Sequence, residues 1–316
     1  MKIVLLNPID INPRLYPGIK TDLESMGHSF FYFETKCKDR EEIKSRIKEA
    51  DILITDNTRL DAELLSCAPN LKYIDVAFTG FDHVDIDYCK QHDIKVSNAS
   101  GYSTESVAEL ELTLILNALR KINILDGLTR NHQDKGELIG EELLGKNVGI
   151  IGTGKIGRRL IELLKPFNCN IYALNRKSAQ DLAENGVLLG TIEEIFRYCK
   201  VIVLNAPLNS ETKDLINRAL FDESTLKPII INTARGPIIN KKDLLYELET
   251  ENISYACLDV FDTEPPLQED DLFKYKNTIL TPHIGYFTKE AMLKRASIVF
   301  TNLYSFLDGK LINSVY

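Results

Sequence analysis

A chain of 316 residues, 44% hydrophobic and 27% charged, is long enough for two domains that each bury a core, and its composition is that of an ordinary globular protein. Its formal net charge of -8 argues against nucleic acid or an anionic membrane as the main partner, since either selects a clustered basic surface. No run approaches the roughly 18 apolar residues that span a bilayer, and the six cysteines and five histidines are scattered without metal-ligand spacing, which together predict a cytoplasmic protein with reduced thiols and no metal site.

The segment Met1-Lys-Ile-Val-Leu-Leu-Asn-Pro8 breaks after four apolar residues, too few for a signal-peptide core, and reads as a first strand. From there strands over 3–6, 29–33, 51–55, 73–77 and 94–97 alternate with helices over 16–25, 40–49, 61–67 and 86–91. Such alternation implies a parallel sheet covered on both faces, here without any glycine-rich phosphate loop. A long helix over 103–121 follows, then a polar stretch with Gly127, Gly136 and Gly140, then a strand over 147–151. Further strands over 171–174, 201–204, 229–232, 255–259 and 278–280 resume the alternation, and a final helix over 288–308 packs either on this second domain or back on the first. The expected class is α/β, with two Rossmann-like, doubly wound parallel sheets.

The strand over 147–151 runs into Val148-Gly-Ile-Ile-Gly-Thr-Gly-Lys-Ile-Gly-Arg-Arg-Leu160, a Gly-x-Gly-x-x-Gly phosphate cradle that opens a helix through Leu160, Ile161 and Leu164. Gly152 permits a tight turn, Gly154 lets backbone N–H groups approach a pyrophosphate, and Gly157 lets the helix pack closely on the strand. The helix N-terminus adds orphan donors and the positive end of the dipole. The bland alternative, a glycine-rich corner with no ligand, loses ground to the flanking strands and helix.

Three loops at expected strand ends carry polar residues of complementary kinds. Asn232-Thr-Ala-Arg-Gly236 offers Arg235, whose planar fork suits a carboxylate, although an exposed loop arginine looks the same in sequence. Leu258-Asp-Val-Phe-Asp-Thr-Glu-Pro-Pro266 offers Glu264, otherwise a solvated loop carboxylate, and Leu280-Thr-Pro-His-Ile-Gly285 offers His283. A lone histidine is more often structural, but one whose second ring nitrogen meets a carboxylate has a fixed tautomer and a stabilised imidazolium, and can pass a proton to or from an alcohol. Arg235, Glu264 and His283 stand 29 and 19 residues apart, the spacing of loops on successive βα units.

In these motifs the chain resembles the D-isomer-specific 2-hydroxyacid dehydrogenases, the NAD(P)-dependent family that includes D-lactate, D-glycerate and phosphoglycerate dehydrogenases. The resemblance runs through Thr79-Gly-Phe-Asp-His83, Gly101-Tyr-Ser-Thr-Glu-Ser-Val-Ala-Glu109, the glycine motif, Pro207-Leu-Asn-Ser-Glu-Thr212, Asn232-Thr-Ala-Arg-Gly236, Leu258-Asp-Val-Phe261 with Glu264-Pro265, and Thr281-Pro-His283. It implies a flavodoxin-like substrate domain over 1–99 and 288–316, to which the final helix returns, a dinucleotide-binding domain over 100–287, and a cleft that closes on substrate. It also implies roles: His283 as general acid in the reductive direction, Glu264 as its partner, Arg235 on the substrate carboxylate and carbonyl, and the N–H groups around Thr79 and Gly80 on the same carboxylate. Lys155 and Ile156 would lie over the pyrophosphate, Pro207 and Thr212 along the adenosine and ribose, and Thr233 and Asp259 near the nicotinamide. A homodimer through the segment from Ser103 to Gly140 is implied as well.

The chain departs from the family in two places, the first of which bears on cofactor specificity. Where NAD-preferring members carry an acidic residue after the second nucleotide strand, this chain has Asn175-Arg-Lys-Ser178; Arg176 and Lys177 favour a 2′-phosphate, so NADP is expected ahead of NAD, the alternative being a basic surface turn that still admits NAD. The tryptophan usual ahead of the nucleotide strand is missing, as the chain has none. The Gly-Tyr-Ser-Thr segment is similar to glycerate dehydrogenases that reduce hydroxypyruvate and glyoxylate, whereas Tyr286 and Phe287 resemble the aromatics of D-lactate dehydrogenase-like members acting on pyruvate; a small 2-oxoacid or 2-hydroxyacid is the expected substrate. From a different class, NAD(H)-sensing corepressor-like proteins that bind peptides share this fold, and a nucleotide-binding protein without catalysis is a third reading. The acidic charge and a length taken up by two domains favour a plain enzyme.

Overall fold

The computed structural model describes residues 1–9, 12–174 and 180–316, and the chain divides into two compact units, Met1–Ser103 with Thr288–Tyr316, and Thr104–Phe287. In the first, five parallel strands, β1 (Lys2–Leu5), β2 (Ser29–Tyr32), β3 (Ile52–Thr55), β4 (Tyr73–Val76) and β5 (Lys95–Asn98), lie in the order β2-β1-β3-β4-β5. The central strands β3 and β4 are buried along their whole length, which is why, apart from Thr55 and Asp75, they read as apolar runs without alternation. The helices between them are α1 (Tyr16–Ser25), α2 (Arg40–Ile47), α3 (Ala62–Ser66) and α4 (Ile86–Gln91). Asp39, Asp61 and Asp85 start the last three by accepting a backbone N–H of the first turn.

The C-terminal helix (Lys289–Leu307) belongs to this unit and buries Ala291, Met292, Arg295, Val299, Asn302 and Leu303, a stripe at helical spacing. Asn302 Nδ2 donates to Asp75 Oδ1 on β4 at 3.0 Å and Phe306 stacks on Tyr73 at 4.1 Å, so the helix is docked by polar and aromatic contacts together. Beyond it the chain bridges to β5 at Ser314 in antiparallel sense.

The second unit opens with α5 (Thr104–Arg120) and α6 (Ile122–Arg130), followed by β6 (Asn147–Ile151), α7 (Lys155–Leu164), β7 (Asn170–Leu174), α8 (Gln180–Glu184), β8 (Leu188–Leu189), α9 (Ile192–Tyr198), β9 (Val201–Leu204), α10 (Arg218–Asp222), β10 (Ile229–Asn232), α11 (Lys241–Glu249), β11 (Tyr255–Leu258) and β12 (Thr278–Leu280). All seven strands are parallel, in the order β12-β11-β10-β9-β6-β7-β8. Both units are thus parallel-sheet α/β layers, as the alternation of strands and helices predicts. The strand order reverses between β6 and β9, which opens a crevice at their carboxyl ends.

The polar stretch after α5 begins with a helix, α6, that its sequence does not announce. Gly127 is tolerated inside α6, and no residue of α6 is buried, so neither a breaker nor an apolar core face marks it in sequence. Among the described residues no helix is long and apolar enough to cross a membrane, and no cluster of three or more His, Cys, Asp or Glu side chains is placed to hold a metal ion.

Candidate active site

The glycine corner follows β6. Gly152 adopts φ +107, and a Cβ there would meet the carbonyl carbon of Asn205, at the start of the loop after β9, at 2.7 Å. A Cβ on Gly157 would lie 2.2 Å from the Gly152 carbonyl oxygen, so this glycine lets α7 close onto the turn. Gly154 differs from both, since a Cβ there meets nothing within 4 Å. Its smallness is not demanded by packing and leaves space in front of the helix start. Gly154 is the N-cap of α7 and supplies no side-chain cap, whereas α9, α10 and α11 are capped by Thr191, Asn217 and Asn240. The first-turn N–H groups at Lys155 and Ile156 therefore have no side-chain acceptor from the cap, the arrangement that suits a pyrophosphate.

The loops after β10, β11 and β12 carry the remaining polar groups of this unit. Asn232 stitches the first of them, donating from Nδ2 to the Arg235 carbonyl at 2.8 Å and accepting the Ala234 N–H at 3.0 Å. A Cβ on Gly236 would meet Phe261 backbone at 2.2 Å, so a glycine here brings the Arg235 loop against the chain leading to Glu264. Arg235 Nη1 donates to the Ala234 carbonyl at 2.8 Å, and its charge acts on Glu264.

Glu264 precedes a cis peptide bond to Pro265 and accepts the Phe261 N–H at 3.1 Å through Oε1. Its Oε2 lies 2.6 Å from His283 Nδ1. A carboxylate only accepts, so Nδ1 carries the proton and Nε2 is left for a reacting oxygen. Burial pushes the Glu264 carboxyl up, but the hydrogen bond and charge of His283, the Phe261 N–H and Arg235 together hold it below the usual glutamate value. Tyr286 meets the His283 ring edge to face at 5.4 Å.

His283 sits at φ +53, a left-handed conformation that strains a residue with a side chain. Asp259 holds it there. This carboxylate, 1% exposed, accepts from Thr281 Oγ1 at 2.6 Å and from the N–H groups of Ile284 and Gly285 at 2.8 Å each, so it clamps both sides of residue 283. Burial raises its pKa, and these three donors and the His283 charge pull the other way.

The other residues singled out by sequence fall as follows. Thr79 and Gly80 lie in the first unit, in the loop after β4, where Asn98 Nδ2 holds the Thr79 carbonyl at 2.6 Å. Thr212 is buried and its hydroxyl donates to the Pro207 carbonyl at 2.6 Å, closing the loop after β9 on itself. Thr233 donates to Glu111 at 2.6 Å. Asn175, Arg176 and Lys177 lie outside the described residues. Glu111 and Asn205 were not singled out; the signal for Glu111 is its place on the apolar stripe of α5, a charge where helical spacing calls for a core side chain.

A family model described as D-isomer specific 2-hydroxyacid dehydrogenase, NAD binding domain, matches residues 112–285. The chain is 32% identical to a hydroxypyruvate reductase of Blautia hydrogenotrophica, over all of this chain and 99% of that one. Among solved structures it is similar to a glyoxylate reductase from Paecilomyes thermophila, at TM-score 0.90 and 26% identity over 100% of this chain and 98% of that one. It is also similar to a D-lactate dehydrogenase from Aquifex aeolicus complexed with NAD and lactic acid, at TM-score 0.84 and 26% identity over 98% and 96%.

Proposed function

The chain belongs to the D-isomer-specific 2-hydroxyacid dehydrogenase family, and from that premise we propose that it reduces a small 2-oxoacid, hydroxypyruvate or glyoxylate, to the D-2-hydroxyacid, with NADPH ahead of NADH. The observation that carries this reading is the His283–Glu264 pair at 2.6 Å with Arg235 beside it. The glycine corner fits the cofactor: Gly154 leaves open space before an uncapped helix start, where Lys155 and Ile156 offer their N–H groups. A bound nicotinamide supplies the hydride.

Arg235 holds the substrate carboxylate and draws electron density from the 2-oxo group. The N–H groups of Thr79 and Gly80 are assigned to carboxylate binding as well. His283 gives its Nε2 proton to the developing alkoxide, and Glu264 stabilises the imidazolium that must form again for the next turnover. Asp259 acts by holding His283 in place and with Thr233 would lie near a bound nicotinamide, while Pro207 and Thr212 would shape the adenosine side. The preference for NADP rests on Arg176 and Lys177, which follow Asn175 and carry positive charge where an acidic residue would repel a 2′-phosphate.

Tyr286, edge-on to His283, narrows the space for the substrate side chain and with Phe287 supports a second reading, a D-lactate dehydrogenase-like reduction of pyruvate. A homodimer through the segment from Ser103 to Gly140 is part of the proposal; α6 has no buried residue, and Ile122 and Ile139 are 54% and 81% exposed. The experiment is initial-rate reduction of glyoxylate, hydroxypyruvate, pyruvate and oxaloacetate with NADPH and with NADH. Fast hydroxypyruvate or glyoxylate turnover with NADPH supports the reading, NADH preference overturns the cofactor part alone, and no turnover of any 2-oxoacid overturns the whole.

A further inference from the structure

Glu111 is 0% exposed on the inward face of α5, in line with Val107, Ala108, Leu114, Ile115 and Ala118. A carboxyl group is costly in such a place unless its oxygens are satisfied. Both are engaged: Thr233 Oγ1 donates to Oε1 at 2.6 Å, and Asn205 Nδ2 donates to Oε2 at 3.3 Å. The two donors come from the loops at the carboxyl ends of β10 and β9, which are neighbours in the sheet. Along that edge, from β6 to β12, stand the glycine corner, Asn205, Thr233 with Arg235, Asp259, and His283. A dinucleotide spanning from the helix start of α7 toward His283 would pass over the two loops that Glu111 ties.

Resting on the cofactor reading above, we propose that Glu111 is a positioning residue of the dinucleotide site: its carboxyl ties the β9 loop to the β10 loop, and its negative charge favours the oxidised cofactor, whose nicotinamide ring is a cation, over the reduced one, whose ring is neutral.

The charge can be switched. Burial pushes the Glu111 carboxyl up to about 7, with the hydrogen bonds from Thr233 and Asn205 pulling it down by less, and no charged group among the described residues contributes. Of the ionisable groups on the elements packed against α5, Lys155 stands at the start of α7 and the others are engaged elsewhere or neutral. Arg159 of α7 is held by Glu105 and Glu162, Arg158 by Asp181, Asp126 of α6 by Arg130, and Asp259 after β11 by the His283 loop, while burial keeps Tyr255 and Cys257 of β11 protonated. Glu111 is therefore neutral well below pH 7 and charged well above it, and the preference for oxidised cofactor grows as pH rises through that range.

The test is equilibrium binding by calorimetry, without substrate, of NADP⁺ and NADPH, and of NAD⁺ and NADH, at about pH 6 and about pH 8.5, to the wild-type chain and Glu111→Gln. The 2′-phosphate titrates in both redox forms and cancels in their ratio. In the wild type the affinity ratio of oxidised to reduced cofactor should rise about three- to tenfold between the two pH values, as expected for one buried charge acting on a cationic ring. In Glu111→Gln the rise should be clearly smaller, because only the contribution of Glu111 is removed. A ratio that does not move in the wild type, or moves equally in the variant, overturns the role of Glu111 and leaves the cofactor reading standing. No binding of any of the four dinucleotides by the wild type overturns the cofactor reading, and this proposal with it. If the variant fails to fold, a wild-type ratio that does not move with pH still overturns the role.

Discussion

The His283–Glu264 pair makes a quantitative demand on mutants. Each side chain is about a third exposed, 32% for His283 and 33% for Glu264, so solvent weakens the bond between them. A hydrogen bond to a charged group contributes about 1.5–3 kcal/mol, which exposure reduces here to about 1–2 kcal/mol. At about 1.36 kcal/mol per tenfold, Glu264→Gln should lower kcat for 2-oxoacid reduction about five- to thirtyfold, with KM nearly unchanged. His283→Asn removes the proton donor and should lower kcat about 10²- to 10⁴-fold. If Glu264 acts only through His283, the double variant should be no slower than His283→Asn by more than about twofold, because the partner has nothing left to orient. The assay is initial-rate kinetics at saturating cofactor for the four proteins of the cycle. Multiplicative losses, with the double variant about tenfold or more below His283→Asn, would refute the pairing as the source of the effect.

Three further outcomes follow from the geometry. Gly154→Ala and Gly157→Ala should separate ligand cradle from packing: the first places a methyl in open space at φ -70, so thermal stability should hold within about 0.5 kcal/mol while dinucleotide affinity falls, whereas the second drives a methyl into the Gly152 carbonyl and should lose about 1–3 kcal/mol as well. Equal stability losses in the two would contradict this. Because the Glu111 carboxyl titrates near 7 when folded against an ordinary 4.5, the folded chain binds its proton more tightly and stability falls as pH rises between those values, by about 3 kcal/mol in all. Urea unfolding should therefore show Glu111→Gln gaining about 2–3 kcal/mol on the wild type between about pH 5 and pH 8, and parallel pH curves would rule the mechanism out. Arg235→Lys keeps the charge but not the fork and should raise KM for the 2-oxoacid about tenfold or more, read against an unchanged cofactor affinity; an unchanged KM would remove Arg235 from the carboxylate.

What the sequence makes legible is what short-range pattern encodes. Strands β3, β4, β9, β10 and β11 are buried from end to end because both faces are covered, and apart from Thr55, Asp75 and Asn232 they are apolar, which is visible in a window of four residues. The glycine corner is visible because close backbone approach admits no other side chain at Gly152 and Gly157. What is hidden depends on distance along the chain. The contact of His283 with Glu264 spans 19 residues and the clamp of Asp259 on Gly285 spans 26, and no local pattern specifies either. Asp259 reads in sequence as a group facing the cofactor, while in the fold three donors of a neighbouring loop converge on its carboxylate. Helix α6 escapes notice because it presents no buried stripe, and the interior position of Glu111 runs against the usual reading of a charge in a helix as a solvated one.

The left-handed backbone at residue 283 filters what can replace the histidine before catalysis is ever assayed. In a saturation library at this codon, glycine, asparagine and aspartate keep the conformation at little cost, while valine, isoleucine and threonine meet a steric penalty of about 1–2 kcal/mol in the loop itself. Soluble yield across such a library would then rank side chains by their tolerance of positive φ rather than by polarity. Asparagine is consequently the substitution whose loss of activity reports on chemistry alone, and an alanine at the same codon would report on both chemistry and loop geometry.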